Sequence, residues 1–531
     1  MNYLPSLCLI FSIVFFLYKR LKHLLHYFQQ EEYDASRFIK YYKNASLIDK
    51  KLSLLLIITT LLFSLFNYNY LSYAYSFAFI LIGLFEPNRE KQAKKALVMT
   101  ARAKRILFLS VTAGAAIITP FLFLVTKTNI DEFILVIASA QLTPFFLMLG
   151  NMFLMPYEKH NQNKFKKEAL LKLAAINPKI IGITGSYGKT STKKLIEHII
   201  SSLAPSLATP GSINTLMGIC RIIREKLDKA HQYFVVEMGA YGIGSIKRLC
   251  DFTPPDVSVI TAIGHAHYER FKSLETVAKA KLEIAEATVK KGGFVIVNTM
   301  AIAPEFIKMA EGICNNNLRT VGKDASCDYI LTNVEQTKDG ISLVITNKDE
   351  HWDIIAPIYG VHQAENIALA FALCHSLGID GSTIAAILKT APQTQHRLEV
   401  KRSDSGVTII DDAYNSNPTG FASALDVLHL LGSIGRKILV TPGMTELGAY
   451  HDDAHKKIGE KAAHCADIAL IINPKRIPSL ISGFENAKGD KALLFDSFAD
   501  AKKWIDDNAK TNDVILYEND LPDIYEERIK L

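Results

Sequence analysis

The sequence predicts an α/β fold: a P-loop central domain and a Rossmann-like C-terminal domain, preceded by an all-α membrane domain of about five helices. Long apolar runs separated by basic segments fill the first part of the chain, as in helical membrane domains. From Ile180 onward, short apolar strands alternate with amphipathic helices, which is typical of parallel sheets covered by helices. The predicted domains are a transmembrane domain (1–158), a basic linker helix (159–178), a central domain (179–394) and a C-terminal domain (395–531).

The composition narrows the class of protein. At 531 residues the chain is too long for one hydrophobic core, so several domains are expected. The net charge of +7 is modest, and Lys and Arg crowd around the N-terminal apolar runs, which favours a lipid bilayer over nucleic acid as the partner. Seven cysteines are scattered without any C-x-x-C pair, which argues for a reducing compartment and against a disulfide framework or a zinc ribbon.

Five apolar runs are predicted to span the inner or plasma membrane as a multi-pass domain. They are Leu4–Tyr18, Leu52–Asn67, Leu71–Phe85, Ile106–Val125 and Phe133–Met155. Eight Lys and Arg residues lie between the first and second runs, and seven lie between the third and fourth. By contrast, the connections Tyr68–Tyr70 and Thr126–Glu132 together contain one basic residue, Lys127. Since positive loops stay on the cytoplasmic side, we expect the N-terminus outside and everything after Met155 in the cytoplasm.

The stretch Lys179–Thr192 carries the strongest functional motif. Its first residues form an apolar strand, and Gly185 and Gly188 then leave a loop whose N–H groups can close around an anion. A helix follows, whose N-terminus adds partial positive charge to that cradle. In this arrangement Lys189 reaches the outer phosphates of a nucleotide and the Thr190 hydroxyl holds Mg²⁺. The sequence therefore predicts a site for ATP and Mg²⁺.

Two further candidate metal ligands follow apolar strands downstream. Glu237 ends the strand Tyr233–Met238, where a carboxylate can coordinate Mg²⁺ beside the P-loop, although a surface glutamate is the simpler alternative. His267 belongs to the segment Gly264-His-Ala-His-Tyr-Glu-Arg270, where two histidines form an i, i+2 pair. Taken alone, such a loop histidine is more often structural or solvent-facing than a metal ligand.

From about Ile180 to its end, the chain resembles the Mur ligase family of ATP-dependent amide ligases, and within it the ligases that add D-alanyl-D-alanine. Seven motifs in family order carry the resemblance: Thr184-Gly-Ser-Tyr-Gly-Lys-Thr-Ser191, Ser212-Ile-Asn-Thr-Leu-Met-Gly218, Glu237-Met-Gly-Ala240, Ala266–Glu275 with Ala278–Ile284, Gly360-Val-His-Gln-Ala-Glu-Asn366, Arg397-Leu-Glu399 and Asp411-Asp-Ala-Tyr-Asn-Ser-Asn-Pro418. Any one of them could be coincidence, whereas the ordered set is specific.

The resemblance implies a role for each matching position. Lys189, Lys281 and His267 are the implied catalytic residues, with Lys281 carbamylated so that it can sit beside a second Mg²⁺; Lys279 is the neighbouring alternative. The implied nucleotide-binding residues are Gly185, Ser186, Gly188, Lys189, Thr190, Ser191, Asn298, His362, Asn366, Arg397 and Asp412. The implied metal ligands are Thr190, Glu237, His267 and Lys281, and the implied substrate contacts are Asn214, Thr215 and Asn415.

The implied reaction joins a carboxylate to an amine in two steps. The carboxylate takes the γ-phosphoryl group of ATP to give an acyl phosphate and ADP, and the amine of an amino acid or dipeptide then displaces phosphate. Such chemistry needs charge neutralisation and exclusion of water. The implied acceptor is a muramyl peptide, or a lipid-linked or polymeric carboxylate, in cell-wall biosynthesis.

The sequence also departs from the family pattern. Apolar runs stand where the family has a soluble UDP-binding domain, so recognition of UDP is open. His396 replaces the glycine expected before Arg397, and Leu516–Pro522 replaces a Lys-Gly-Ser turn. The element Asn473-Pro-Lys-Arg476 is similar to the Asn-Pro-Arg element of diamino-acid-adding members, so the identity of the amine is open too.

Three alternative functions differ from this hypothesis. A ligase similar to poly-γ-glutamate synthases would differ in taking glutamate as the amine. A non-catalytic membrane scaffold is disfavoured because Lys189, Thr190, Glu237, His267 and Lys281 are all present. An ATP-driven transporter is disfavoured because the apolar runs contain no Asp, Glu, Lys or Arg that could mark a substrate path.

Overall fold

A computed structural model describes residues 4–30, 33–39, 50–66, 70–86, 97–124, 129–264, 271, 273–413, 416–445 and 447–519. These residues form two compact units that divide between Asn163 and Lys164. The division falls five residues after the predicted end of the membrane domain, inside the segment predicted as a basic linker helix.

The N-terminal unit is built from helices. Its main helices are α1 (Leu4–Gln30), α2 (Lys50–Phe66), α3 (Leu71–Phe85), α4 (Ala101–Leu124), α5 (Asn129–Gln141) and α6 (Thr143–Ile176), the last of which continues past the division. Apolar side chains such as Leu17, Leu21 and Phe79 are buried between the helices. Other large apolar side chains, including Phe77 and Phe108, are about two-thirds exposed, as expected for surfaces that face lipid.

Fewer of these helices are long enough to cross a bilayer than the sequence predicted. Among the described residues, Leu4–Gln29 and Ala101–Leu122 are long and apolar enough, and a third span results if α5 and α6, bent by 60° at their junction, count as one. The helices in the predicted spans Leu52–Asn67 and Leu71–Phe85 are shorter. At 1.5 Å per residue, the 15 residues of α3 reach roughly 22 Å, less than the roughly 30 Å of a hydrocarbon core.

The central domain contains a nine-stranded sheet. Its strands are β1 (Lys179–Thr184), β2 (Ser206–Ala208), β3 (Tyr233–Glu237), β4 (Val257–Ile260), β5 (Phe294–Asn298), β6 (Leu318–Gly322), β7 (Tyr329–Thr337), β8 (Gly340–Asn347) and β9 (Glu350–Ala356). The strand order is β2-β3-β1-β4-β5-β6-β7-β8-β9; the strands from β2 to β7 pair in parallel, and β7, β8 and β9 form an antiparallel meander. This meander was not among the predicted elements.

Helices cover both faces of this sheet. They are α7 (Lys189–Ser201), α8 (Leu216–Glu225), α9 (Ser245–Phe252), α10 (Leu274–Lys290), α11 (Pro304–Cys314), α12 (Gln363–Ser376) and α13 (Gly381–Leu388). Residues of β1 alternate between the two cores: Ile181 and Ile183 pack with α7 and α12, whereas Ile180 packs with α8 and α10. Because β1, β3 and β4 are parallel neighbours, their carboxyl ends lie at one edge of the sheet.

The C-terminal domain has a second, six-stranded sheet. Its strands are β10 (Glu399–Arg402), β11 (Thr408–Asp412), β12 (Lys437–Thr441), β13 (Ile468–Ile472), β14 (Leu493–Phe495) and β15 (Val514–Glu518), and its helices are α14 (Pro418–Leu431), α15 (His451–Cys465), α16 (Pro478–Lys488) and α17 (Phe498–Asn508). The strand order is β10-β11-β15-β12-β13-β14, with only β10 antiparallel to its neighbour. The predicted α/β class is therefore confirmed for both domains.

Candidate active site

The loop between β1 and α7 has the backbone of an anion cradle. Gly185 and Gly188 have φ values of +154° and +77°, which L-residues with a side chain rarely adopt. A Cβ at either position would also collide with a neighbour: Thr261 Oγ1 at Gly185 and Asn366 Oδ1 at Gly188. The structure therefore requires glycine at both predicted positions.

Lys189 folds back over this loop. Its Nζ donates to the carbonyl oxygens of Gly185 at 2.6 Å and Ser186 at 3.2 Å. Burial, with a smaller contribution from the nearby Arg397, lowers the pKa of Lys189 to about 8 against the opposing effect of Glu237. A phosphate group bound in this loop would stabilise the charged form of Lys189, because it would supply the negative charge that the loop lacks.

Glu237 ends β3 beside the P-loop helix, as predicted. Its Oε2 accepts hydrogen bonds from Thr190 Oγ1 at 2.9 Å and Lys193 Nζ at 3.1 Å, and its Oε1 accepts one from Asn214 Nδ2 at 3.0 Å. Burial alone would raise the pKa of Glu237, but Lys193 and Lys189 outweigh it and lower the pKa, so the carboxylate stays charged. A hydroxyl and a carboxylate in contact fit the oxygen ligands that Mg²⁺ prefers.

Lys281 on α10 is buried, with 4% of its surface exposed. Burial, together with the positive charge of Lys189, moves the pKa of Lys281 well below 10.5, which favours the neutral amine over the ammonium form. The alternative, Lys279, is more than half exposed and pairs with Glu275 at 2.7 Å. Of the two lysines, only Lys281 has surroundings that distinguish it from an ordinary surface lysine.

Three predicted nucleotide contacts lie beyond the P-loop in the central domain. Asn298 and Asn366 are buried and lie in hydrogen-bonded networks: Asn298 Nδ2 donates to Glu365 Oε2 at 2.7 Å, and Asn366 Oδ1 accepts from Thr192 Oγ1 at 3.1 Å. His362 precedes α12, and burial lowers its pKa to about 4, with a further contribution from Arg397. Its buried Nδ1 has no hydrogen-bond partner among the described residues, so it is available to a ligand.

A small cavity lies where the central domain meets the hinge to the C-terminal domain. It is lined by Ser191 and Gln363 on one side and by Arg397 and Leu398 on the other, among other residues. Two predicted nucleotide-binding positions, Ser191 and Arg397, therefore share one cavity.

Asp412 ends β11 in the C-terminal domain, and its Oδ1 accepts a hydrogen bond from the Leu398 N–H at 3.0 Å. Its register partner on β15 is Glu518, whose Oε1 accepts from Ser416 Oγ at 2.5 Å. Burial raises the pKa of Asp412 to about 6, and burial together with Asp412 moves the pKa of Glu518 well above its usual range. Burial and the proximity of the two carboxyl groups therefore disfavour ionisation of both at once.

The remaining predicted site residues have mixed outcomes. Ser186 Oγ donates to the Gly264 carbonyl at 3.0 Å and so belongs to the cradle wall. Thr215 caps α8 by accepting from the Gly218 N–H at 3.3 Å, a structural task that leaves its substrate role a prediction. His267 and Asn415 lie outside the described residues.

Two family models match the chain. The Mur ligase middle domain matches residues 183–374, and the Mur ligase glutamate ligase domain matches residues 396–517. Together they match more than half of the chain. The chain belongs to the Mur ligase family. This result confirms the resemblance and, with it, the predicted class of ATP-dependent, ADP-forming amide ligase.

Individual Mur ligases agree with this assignment. The chain is 29% identical over 357 residues to a UDP-N-acetylmuramoyl-tripeptide--D-alanyl-D-alanine ligase of Bacillus subtilis (strain 168), covering 65% of this chain and 74% of that one. It is 32% identical over 305 residues to the Mycobacterium bovis ligase of the same name, covering 55% of this chain and 58% of the relative. A crystal structure of MurF from Thermotoga maritima in complex with ADP matches with a TM-score of 0.58 at 26% identity, covering 69% of this chain and 82% of that one.

Sequence reasoning missed three polar residues of this Mur ligase site. Lys193 contacts Glu237, Glu365 contacts Asn298, and Glu518 lies beside Asp412. Lys193 could have been found from its spacing, because it lies one helical turn beyond Lys189. Arg476, in the segment similar to an Asn-Pro-Arg element, instead donates to the carbonyls of Met444 (2.8 Å) and Pro442 and so holds a loop.

Proposed function

We propose that this Mur ligase is attached to the membrane, activates a carboxylate of a muramyl peptide with ATP, and joins it to the amine of a dipeptide in cell-wall biosynthesis. The observation that carries the proposal is the hydrogen bond between Thr190 and Glu237 beside Lys189, with the buried Lys281 close enough to Lys189 for the two charges to interact. These groups converge at the carboxyl edge of β1 and β3, where open α/β sheets bind their ligands.

In this proposal the P-loop binds the ATP phosphates, and side chains at the carboxyl edge of β1 and β3 bind the metal. Lys189 would leave the loop carbonyls for the outer phosphates, and the N–H groups around Gly185 and Gly188 would accommodate the remaining phosphate oxygens. Thr190 and Glu237, with His267 as a further ligand, would hold Mg²⁺, which neutralises phosphate charge when bound. Arg397 and Asp412 would contact the nucleotide from the hinge and the C-terminal domain.

Lys281 is proposed to carry a carbamate. Burial favours the uncharged amine, whose nitrogen can attack CO₂: one N–C bond forms, one C=O π bond of CO₂ opens and one proton is released to solvent, so that a buried amine becomes an anion. The new anion would balance the positive charge of Lys189 and provide oxygen ligands for a second Mg²⁺. Without that change, Lys281 is a desolvated amine whose interaction with the positive charge of Lys189 is unfavourable.

The substrates are inferred from the names of the relatives, which act on a UDP-N-acetylmuramoyl-tripeptide and D-alanyl-D-alanine. We propose D-alanyl-D-alanine as the amine. The family match begins at residue 183, and apolar helices precede it, so we propose a lipid-linked muramyl peptide at the cytoplasmic face as the carboxylate. A soluble UDP-linked peptide is the competing acceptor.

The proposed orientation does not depend on whether five or three helices span the membrane. The basic residues of both segments lie between Lys19, in the second half of α1, and Arg105, near the start of α4, and the connection Thr126–Glu132 follows α4. With three spans, as with five, the N-terminus is outside and the ligase domains are cytoplasmic. The helices α2 and α3 would then lie in the membrane without crossing it.

The test is a reconstitution of the full chain in lipid nanodiscs with Mg²⁺ and ATP. Lipid-linked and UDP-linked muramyl tripeptides are offered with D-alanyl-D-alanine, glutamate or a diamino acid, and phosphate release and product mass are measured. We expect amine-dependent phosphate release that disappears in Lys189→Ala and persists in Lys194→Ala, its neighbour on the same helix. Glutamate as the only productive amine would favour the poly-γ-glutamate alternative, and no amine-dependent release with any acceptor would refute the ligase proposal.

A further inference from the structure

Lys193 is a buried lysine that the reaction described above does not use. It lies on α7, four residues after Lys189, and about 1% of its side chain is exposed. Its Nζ donates to Glu237 Oε2 at 3.1 Å and to the carbonyl of Gly211. Removing an ammonium group from water is costly unless it is paired, so this position is maintained by its contact with Glu237.

The contacts of Glu237 explain what Lys193 does there. Thr190 and Lys193 both donate to Oε2, and Asn214 donates to Oε1, so the carboxylate is fixed at both oxygens before any metal binds. Without Lys193, one neutral donor would remain for each oxygen, and the carboxylate could turn away from the Thr190 hydroxyl. The carbonyl of Gly211, which precedes Asn214 in the same loop, would also lose its tie to α7.

We propose that Lys193 is a positioning residue that holds the Glu237 carboxylate against the Thr190 hydroxyl, so that the metal site is assembled before the metal–nucleotide complex arrives. The inference rests on the proposed function, in which Glu237 and Thr190 bind Mg²⁺. Groups that orient metal ligands in this way typically change metal affinity by about 10–100-fold when they are removed.

The experiment measures binding of Mn²⁺, used as the probe for Mg²⁺, to the full chain with ADP by electron paramagnetic resonance. Lys193→Met, which removes the donor but keeps the length, is expected to weaken Mn²⁺ binding at least about tenfold. Lys193→Gln, which keeps a neutral donor, is expected to stay closer to the wild type. Lys194→Met on the same helix is the matched control and should leave the affinity unchanged.

A kinetic measurement separates positioning from catalysis. In Lys193→Met, we expect the Mg²⁺ concentration for half-maximal activity to rise about tenfold, while kcat at saturating Mg²⁺ stays within about twofold of the wild type. A fall in kcat with an unchanged Mg²⁺ requirement would contradict the positioning role.

The Glu237→Gln background keeps the test decisive even if Lys193→Met does not fold alone. Because Lys193 acts through Glu237, Lys193→Met should cause no further loss of Mn²⁺ affinity when Glu237 is already Gln; an additional loss would overturn the inference. Glu237→Gln alone reports on the metal site. If Glu237→Gln leaves Mn²⁺ binding unchanged, the proposed metal site and the role of Lys193 are both refuted. If Glu237→Gln weakens Mn²⁺ binding and Lys193→Met does not, only the role of Lys193 is refuted.

Discussion

Asp412→Asn is expected to stabilise the C-terminal domain at neutral pH while lowering ligase activity. Burial raises the pKa of Asp412 from 3.8 to about 6, even though Arg397 opposes the rise. A rise of about two pKa units corresponds to about 3 kcal/mol, which is the cost of holding this carboxylate charged inside the protein. Asparagine keeps an oxygen that can accept the hydrogen bond from the Leu398 N–H, so most of the local geometry should survive.

The effect has a defined pH dependence. Because the folded-state pKa of Asp412 is higher than the unfolded value, the folded protein binds more protons between about pH 4 and pH 6. The stability that this group contributes is complete below about pH 4 and is lost as the pH rises through about 6. The stability difference between Asp412→Asn and the wild type should therefore be near zero at about pH 4 and approach about 3 kcal/mol above pH 6 as an upper value.

The assay is urea unfolding of the full chain in detergent at several pH values, followed by the fluorescence of Trp504. The chain has two tryptophans, so a Trp352→Phe background leaves Trp504 in α17 as the reporter of the C-terminal domain. Asp411→Asn is the matched control: Asp411 pairs with Lys401 at 3.3 Å, so its removal should not stabilise the domain. A stability difference for Asp412→Asn that does not change with pH, or a loss of stability at pH 7, would refute the reasoning.

Three further predictions concern the central domain. Lys281→Ala should lose nearly all turnover and regain part of it with added short carboxylates; full activity without them would remove the carbamate proposal. ADP binding at about pH 8 should be accompanied by uptake of about half a proton, because Lys189 is half neutral there and a bound phosphate favours its charged form. The uptake is measured as a dependence of the binding enthalpy on the ionisation enthalpy of the buffer, and equal enthalpies in all buffers would contradict the prediction. Gly188→Ala should weaken ADP binding at least about tenfold, because its φ is positive and a Cβ there would collide with Asn366. Gly378 also has a positive φ but lies in open space, so Gly378→Ala should bind ADP with the wild-type affinity in the same titration.

Much of the fold could be predicted because its strands are short apolar runs that end in turns. The predicted strands Tyr233–Met238 and Ile468–Ile472 match the observed strands to within one residue. The meander Tyr329–Ala356 was not predicted, because it alternates buried and exposed residues and does not form the continuous apolar runs of the parallel strands. The five predicted membrane spans stay a prediction, because two or three of the described helices are long enough to cross a bilayer and hydropathy alone does not show where a helix ends.

The site was predictable where one residue type fits one geometry. Gly185 and Gly188 adopt backbone angles that require glycine, and Glu237 follows from its place at the end of a strand beside the P-loop. The spacing from Lys189 indicates the position of Lys193, but the roles of Lys193 and Glu518 were not predictable in this way. These roles come from partners that are distant in sequence: Glu237, 44 residues from Lys193, and Ser416, 102 residues from Glu518. Only the packing of the sheet brings such pairs together.

The two sides of the site differ in how completely their polar groups are satisfied. Around Glu237 in the central domain, the acceptors have donors and the carboxylate has a lowered pKa, so this side is ready for a metal without rearrangement. On the C-terminal side, burial raises the pKa of both Asp412 and Glu518, so their charged forms are unfavourable. The hinge residues His396 and Leu398 also have φ values of +57° and +53°, which cost of order 1 kcal/mol each or more for residues other than glycine. A ligand gains little by rearranging the first side and can relieve unfavourable interactions on the second. The metal–nucleotide complex is therefore expected to bind first to the central domain, with the hinge adjusting afterwards, and this order would protect the acyl phosphate from water once both sides are engaged.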